Sequence, residues 1–193
     1  MKETPESNQS RTESVFERPE SGVPMSNAGQ EDDLVNVYVA GIFDAEQAVR
    51  CTIAKESTNR VGYRIVPKVE LRSKSQELIH VVLNWLNEMG IHTNIEKRGS
   101  KAPDYMISVS KRDDVKRILE TISPYLIVQD RDAEIVLEEI IPRLDDNSVL
   151  TEERFIEVVG YVEQLTETRN RNRQYDLEFF REEFGVDEAE PTD

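Results

Sequence analysis

Two different periods of apolar and polar positions run along the middle of the chain, flanked by stretches with neither. Residues 1–33 combine Ser, Glu, Pro, Asn, Gln and Gly with almost no apolar side chains. Such a segment buries too little surface to offset chain entropy, so a disordered tail is expected there. Order is expected from Asp33, whose side chain can cap a helix over 34–44. In Val49–Lys55, the side chains of Val49, Cys51 and Ile53 alternate with those of Arg50, Thr52 and Ala54, the signature of a strand with one buried face. The alternation is clearer over 61–72. There Tyr63, Ile65, Val69 and Leu71 share one face, and Arg64, Lys68, Glu70 and Arg72 share the other. Pro67 interrupts the donors of this strand and predicts an edge or a bulge.

The period then lengthens. Leu78, Val82, Trp85, Leu86 and Met89 form an amphipathic stripe on a helix opened by Ser75 and stopped by Gly90. Residues 92–98 and 104–110 read as a hairpin around 99–103, with Tyr105, Ile107 and Val109 inward. Asp113 or Asp114 is expected to cap a helix carrying Val115, Ile118, Leu119 and Ile122, ended by Pro124. A further helix is expected over 130–141, with Ala133, Val136, Leu137 and Ile140 on one side and Pro142 beyond its end. Residues 151–168 predict another helix (Phe155, Val158, Val159, Val162, Leu165). A basic link, Arg169 to Arg173, leads to a short helix with Leu177, Phe179, Phe180 and Phe184. The middle of the chain therefore reads α-β-β-α-β-β-α-α, an α+β fold with helices on one sheet face and the other face open. The expected organisation is a tail over 1–33, a domain over 34–147 and a helical, acidic extension over 148–193.

Charge changes the picture where it is local. The 193 residues contain 24 Lys+Arg and 39 Asp+Glu, a net of −15. Residues 1–33 carry 3 basic and 8 acidic side chains, a net of −5, and residues 148–193 carry 5 and 13, a net of −8. The span 50–74 runs the other way: seven basic side chains against Glu56 and Glu70 give 7 − 2 = +5. The acidity has two readings, adaptation to very high salt or simply acidic ends. The local excess of positive charge on the open sheet face makes that face a candidate saddle for duplex DNA. A single cysteine, Cys51, excludes an internal disulfide, and two histidines argue against a histidine-rich metal site. No membrane-spanning run or secretory leader is visible, so a soluble, cytoplasmic protein without a membrane partner is expected.

The first helix ends in Val39-Ala40-Gly41-Ile42-Phe43-Asp44-Ala45-Glu46-Gln47. Small residues at Ala40 and Gly41 let two helices approach closely. Two acids follow at the helix C-terminus, where the dipole disfavours them unless a cation or partner compensates. This stretch resembles the LAGLIDADG signature position by position, and the order of elements over about 34–141 is similar to that family's αββαββα fold. Three further segments resemble the same family: Val69–Lys74 as a strand end supplying polar pocket residues, Asp104–Lys111 as the last core strand, and Ile122-Ser123-Pro124-Tyr125-Leu126 after it.

The resemblance implies a site-specific double-strand DNA endonuclease of the homing type, dependent on Mg²⁺. Glu46 would be the metal-holding acid. One motif per chain implies a homodimer, with Ala40 and Gly41 at the interface and the two Glu46 carboxylates side by side. Lys111, with Ser73 or Lys74, would orient water and stabilise charge in catalysis, and Arg50, Arg64, Lys68 and Arg72 would contact DNA. The sequence departs from the family in three ways: Gln47 stands where glycine ends the signature, Gln129 or Asp130 stands where a lysine often follows, and the sheet face is less basic. These departures keep open an alternative, a catalytically silent DNA-binding protein (a regulator or splicing cofactor) on the same scaffold. A weaker one is a protein-interaction module. Read without the resemblance, Asp44 is a helix-terminal acid bonding nearby amides, Lys111 an exposed lysine, and the strand arginines surface ion pairs.

Overall fold

A computed structural model describes residues 28–99, 104–145, 151–165 and 174–186. The expected tail lies outside the described residues up to residue 27, as do the tip of the 99–103 hairpin beyond Gly99 and the basic link 169–173. Helix α1 (Ala28–Glu46) begins six residues earlier than the apolar pattern predicts. Asp33 therefore lies inside the helix and caps nothing; its carboxylate accepts a hydrogen bond from the Tyr125 hydroxyl at 2.9 Å.

Strands β1 (Val49–Lys55), β2 (Tyr63–Ser73), β3 (Glu96–Arg98) and β4 (Asp104–Val109) form one antiparallel sheet in the order β1-β2-β4-β3. Two hairpins are thus joined along β2 and β4. The β1–β2 register sets Val49 opposite Val69 and Lys55 opposite Tyr63, and β4 pairs with β2 from Val69↔Val109 to Ser73↔Tyr105. Pro67 lies before the first β2–β4 pair, where β2 has only β1 beside it. A strand with one open flank tolerates a missing N–H, so a central strand can carry proline at this point.

Helix α2 (Gln76–Glu88) starts at Ser75, whose hydroxyl accepts from Leu78 N. Its buried stripe is Ile79, Val82, Trp85 and Leu86, so Ile79 rather than Leu78 turns inward. Helix α3 (Arg112–Ile122) has Lys111 at its N-cap with no side-chain cap bond. Asp113 and Asp114 sit in its first turn instead, where they gain from the dipole without capping. Next come α4 (Asp130–Glu134), a π-helical segment (Ile135–Ile140) and α5 (Ile141–Asp145), which run on continuously. Pro142 is thus inside the helical stretch, not past its end. It has no N–H to donate and its ring crowds the preceding turn, and the ladder is widened to π geometry immediately before it.

Helices α6 (Glu152–Gln164) and α7 (Leu177–Phe184) complete the fold. The expected boundary at 147 falls in residues 146–150, outside those described. Buried side chains on both sides of it belong to one hydrophobic cluster running from Val39 to Phe180. The join is aromatic: Tyr63 of β2 meets Phe180 edge-on at 4.9 Å between ring centroids, and Phe180 meets Phe155 of α6 at 4.9 Å. Arg143 of α5 adds ion pairs to Glu139 (2.7 Å) and to Glu157 of α6 (2.8 Å). No described helix is long and apolar enough to cross a membrane.

Candidate functional site

The end of α1 separates the two acids of the motif. Val39, Ala40 and Phe43 are fully buried in the chain's own core, which fixes the helix rotation. Asp44 then faces the loop after Tyr125, and its two oxygens accept from the backbone N–H groups of Ile127 (2.8 Å) and Gln129 (2.8 Å). Asp44 does bond backbone amides, but they lie more than eighty residues away rather than nearby. Its charge is engaged in holding that loop against α1.

Glu46, the last residue of α1, is exposed and has no hydrogen bond or ion pair to a described residue. Beyond it Gln47 adopts φ 52, the left-handed region, alone among the described non-glycine residues. An L-residue loses about 1–2 kcal/mol there. The turn keeps the shape that glycine would give it: Ala48 N–H returns to Phe43 O at 3.2 Å and Ala48 O accepts from Glu70 N at 2.8 Å. The departure at Gln47 therefore alters the energy of the turn and not its path.

The Ala48–Glu70 bond ties the turn after α1 to the C-terminal half of β2, which ends at Ser73, with Lys74 following it. Ser73 Oγ accepts from Ser75 N at 3.2 Å, and Lys74 is exposed. Lys111 is placed differently. Ser73 pairs with Tyr105 at the start of β4, whereas Lys111 follows the far end of that strand. It is 70% exposed and 3.6 Å from Asp114. The register does not bring Lys111 and Ser73 together. The residue that does reach the motif is Gln129, fully buried, whose Oε1 accepts from Val49 N (3.3 Å) and whose Nε2 donates to Asp132 (3.3 Å). A neutral amide thus occupies the position beside Asp44 and the start of β1. Only the substitution of the expected lysine hinted at this in the sequence; the contact spans 80 residues and no spacing rule reports it.

On the open sheet face, the pleat puts Arg64, Lys68, Glu70 and Arg72 on one side of β2, with Arg50 opposite Lys68. Glu70 is buried and gathers three of these cations: Lys68 Nζ at 2.7 Å, Arg72 Nη2 at 2.8 Å and Arg50 Nη1 at 3.3 Å. Burial pushes the Glu70 carboxyl upward, but the hydrogen bond from Lys68 and the charges of Lys68, Arg72 and Arg50 outweigh it, so the net shift is downward. Arg50 Nε is buried without a hydrogen-bond partner. Arg64 is exposed and forms no ion pair with a described residue.

The opposite side of α1 is bare. Leu34, Val37, Tyr38 and Gly41 follow helical spacing and are exposed, as are Ile127 (87%) and Val128 (68%) on the loop that Asp44 holds. Of the two small residues expected at an interface, Gly41 lies on this face and Ala40 does not, because Ala40 is fully buried within its own chain. A side chain at Gly41 would meet nothing within 4 Å.

Among the described residues no group of three or more His, Cys, Asp or Glu is placed to hold a metal. At the end of α1 the Glu46 carboxylate is exposed and unpaired among the described residues. Mg²⁺ is commonly bound by one or two carboxylates with water and phosphate oxygens, so Glu46 suits a shared Mg²⁺ site better than a self-contained one.

Residues 33–123 match the family described as LAGLIDADG-like domain. No curated protein matches the chain by sequence. Among solved structures, the homing endonuclease I-CvuI in complex with its target superposes with a TM-score of 0.64 at 20% identity, covering 79% of this chain and 94% of that one. An archaeal intron-encoded homing endonuclease complexed with DNA gives 0.65 at 21%, covering 77% and 93%. The homing endonuclease I-TnaI gives 0.62 at 20%, covering 77% and 96%. Residues 33–123 are thus similar to a LAGLIDADG-like domain, and the chain has the α+β fold of the LAGLIDADG homing endonucleases.

Proposed function

We propose that this chain is a site-specific double-strand DNA endonuclease of the homing type, acting as a homodimer. The observation that carries this reading is the division of labour at the end of α1: Asp44 is engaged by two backbone amides, while Glu46 is exposed with no partner among the described residues. An unpaired acid at the negative end of a helix dipole is unfavourable without a cation. Glu46 would hold Mg²⁺, which when bound polarises the scissile phosphate and lowers the pKa of water.

The remaining steps belong to the chain's own groups. Arg50, Arg64, Lys68 and Arg72 would seat the duplex on the open face through phosphates and base edges. Ser73 and Lys74, at and just past the end of β2, would orient water and offset negative charge at the phosphate. Lys111, at the far end of β4, would serve as a phosphate contact. The bare face of α1, with Leu34, Val37, Tyr38 and Gly41, would pack against the same face of a second copy and bring two Glu46 side chains together. A two-fold interface is self-complementary in this way. The fold shared with DNA-complexed endonucleases supports the reading.

One observation favours a second reading, a DNA-binding protein without catalysis. Beside the motif, Gln129 offers no positive charge to a phosphate and is fully buried. Incubating the full chain with a plasmid carrying its gene's own flanking DNA, with Mg²⁺ or with chelator, separates the two. Linear product in Mg²⁺ alone is expected. Specific binding with no cutting would favour the silent protein.

A further inference from the structure

The open face of the sheet holds a carboxylate at the centre of its cations. Glu70 has a side chain only 5% exposed, and a charge that deeply placed is tolerated only when it is paired. Its oxygens are shared unevenly. Oε2 takes Lys68 Nζ at 2.7 Å. Oε1 takes Arg72 through both Nε (3.0 Å) and Nη2 (2.8 Å), and Arg50 through Nη1 (3.3 Å). Arg72 is therefore gripped along one edge of its planar fork, which fixes the plane of the guanidinium. Its Nη1 group and the second Nη2 hydrogen are left over, on a side chain 44% exposed.

An arginine reads guanine by aiming two donors at O6 and N7 in the major groove. A free arginine must surrender rotamer entropy to do so, and one held in advance surrenders less. Glu70 would by itself repel a duplex, but Lys68 and Arg50 neutralise it. We propose that Glu70 is a positioning residue for DNA recognition: it buttresses Arg72 so that the free edge of the guanidinium meets a guanine. This inference rests on the DNA-binding reading above and adds to it the base recognised and the residue that fixes the reader.

The test is selection of binding sites from a randomised duplex library by the full-length chain, at two salt concentrations, with thermal unfolding measured alongside. Wild type, Glu70→Gln and Arg72→Lys are compared. Wild type should prefer guanine at one position of each half-site by roughly tenfold or more. Glu70→Gln should lose that preference while keeping the others, and its binding should become more salt-dependent, because a repelling charge is gone. Arg72→Lys should lose the same position. If Glu70→Gln fails to fold, Glu70→Asp replaces it, keeping the charge but withdrawing the carboxylate by one methylene. A Glu70 variant that unfolds at lower temperature but keeps the guanine preference would overturn the proposal and leave only a structural ion cluster. A wild type that selects no duplex would overturn this inference and the DNA-binding reading together.

Discussion

Glu46 and Asp44 are two residues apart and chemically alike, yet their surroundings give them different tasks. Two amide donors fix Asp44. Asp44→Asn would replace a charged acceptor with a neutral one, and loss of a charge-assisted bond to a backbone amide is worth about 1.5–3 kcal/mol. Chemical denaturation should show a drop of that order, whereas Glu46→Gln, measured without metal, should leave the denaturation midpoint the same or slightly higher, because it removes an acid from the negative end of the dipole. Equal losses in both would mean that Glu46 has an internal partner. Gln47 is a second residue with a legible energy. At φ 52 its side chain is tolerated at a cost, so Gln47→Gly should raise stability by up to about 1 kcal/mol; a lower midpoint would show that the Gln47 side chain contributes more than its backbone strain removes. Glu70 has a sign that can be worked out. Its carboxyl is shifted downward in the fold, so its contribution is complete above the ordinary carboxylate range and is lost as pH falls through that range and below it. Stability of wild type should therefore fall more steeply below about pH 4.5 than that of Glu70→Gln, which has no proton to gain. Parallel curves would mean that the ion cluster adds nothing.

At the level of elements, α1 is the informative case. Gly41 is exposed, and a Cβ added there would meet nothing within 4 Å. Gly41→Leu should therefore fold and yet separate the subunits, which light scattering would detect as a halved mass. A wild type already monomeric at high concentration would argue against the bare face of α1 as an interface. In α7, Phe180 is fully buried against five other aromatic rings: Tyr63, Phe155, Tyr175, Phe179 and Phe184. Phe180→Ala should lower stability by about 3–5 kcal/mol; a change under 1 kcal/mol would mean that α7 is not docked on Tyr63 in solution. The elements were largely legible from the sequence, because a half-buried strand and an amphipathic helix write their periods directly into it. β1 was predicted to the residue, and Ser75 opens α2 as expected. What was not legible depended on distant partners or on weak local preference. The start of α1 carries no apolar signal, and Pro142 lies inside a helix because a π segment makes room for it. The placement of side chains was legible on the basic strand face, where alternation puts Arg64, Lys68, Glu70 and Arg72 together. It was not legible at Gln129, where the contact is set by tertiary packing, nor at Ala40, where helix rotation decides which small residue faces out.

For the whole molecule, the acidic total and the basic face pull in opposite directions. On the proposed DNA-binding reading, a net charge of −15 would slow encounter with DNA at low salt, while the cations of the sheet face would govern contact once it is made. Salt therefore has two effects of opposite sign, and affinity should be followed across several concentrations. Lys68→Ala should weaken binding to all duplexes and lower the salt slope by about one unit if its contact is to phosphate. An unchanged slope in a triple alanine variant at Arg64, Lys68 and Arg72 would remove the sheet face as the DNA platform.

On the proposed reading Glu46 would hold the metal needed for DNA cleavage, and one comparison decides it. Wild type and Glu46→Gln are incubated with the same target plasmid in Mg²⁺, with binding measured in parallel in Ca²⁺. Wild type should linearise the plasmid, and Glu46→Gln should bind it with similar affinity and not cut, since a lost ligand charge removes several kcal/mol of transition-state stabilisation. Cutting at the wild-type rate by Glu46→Gln would contradict the assignment of Glu46 as the metal-holding acid.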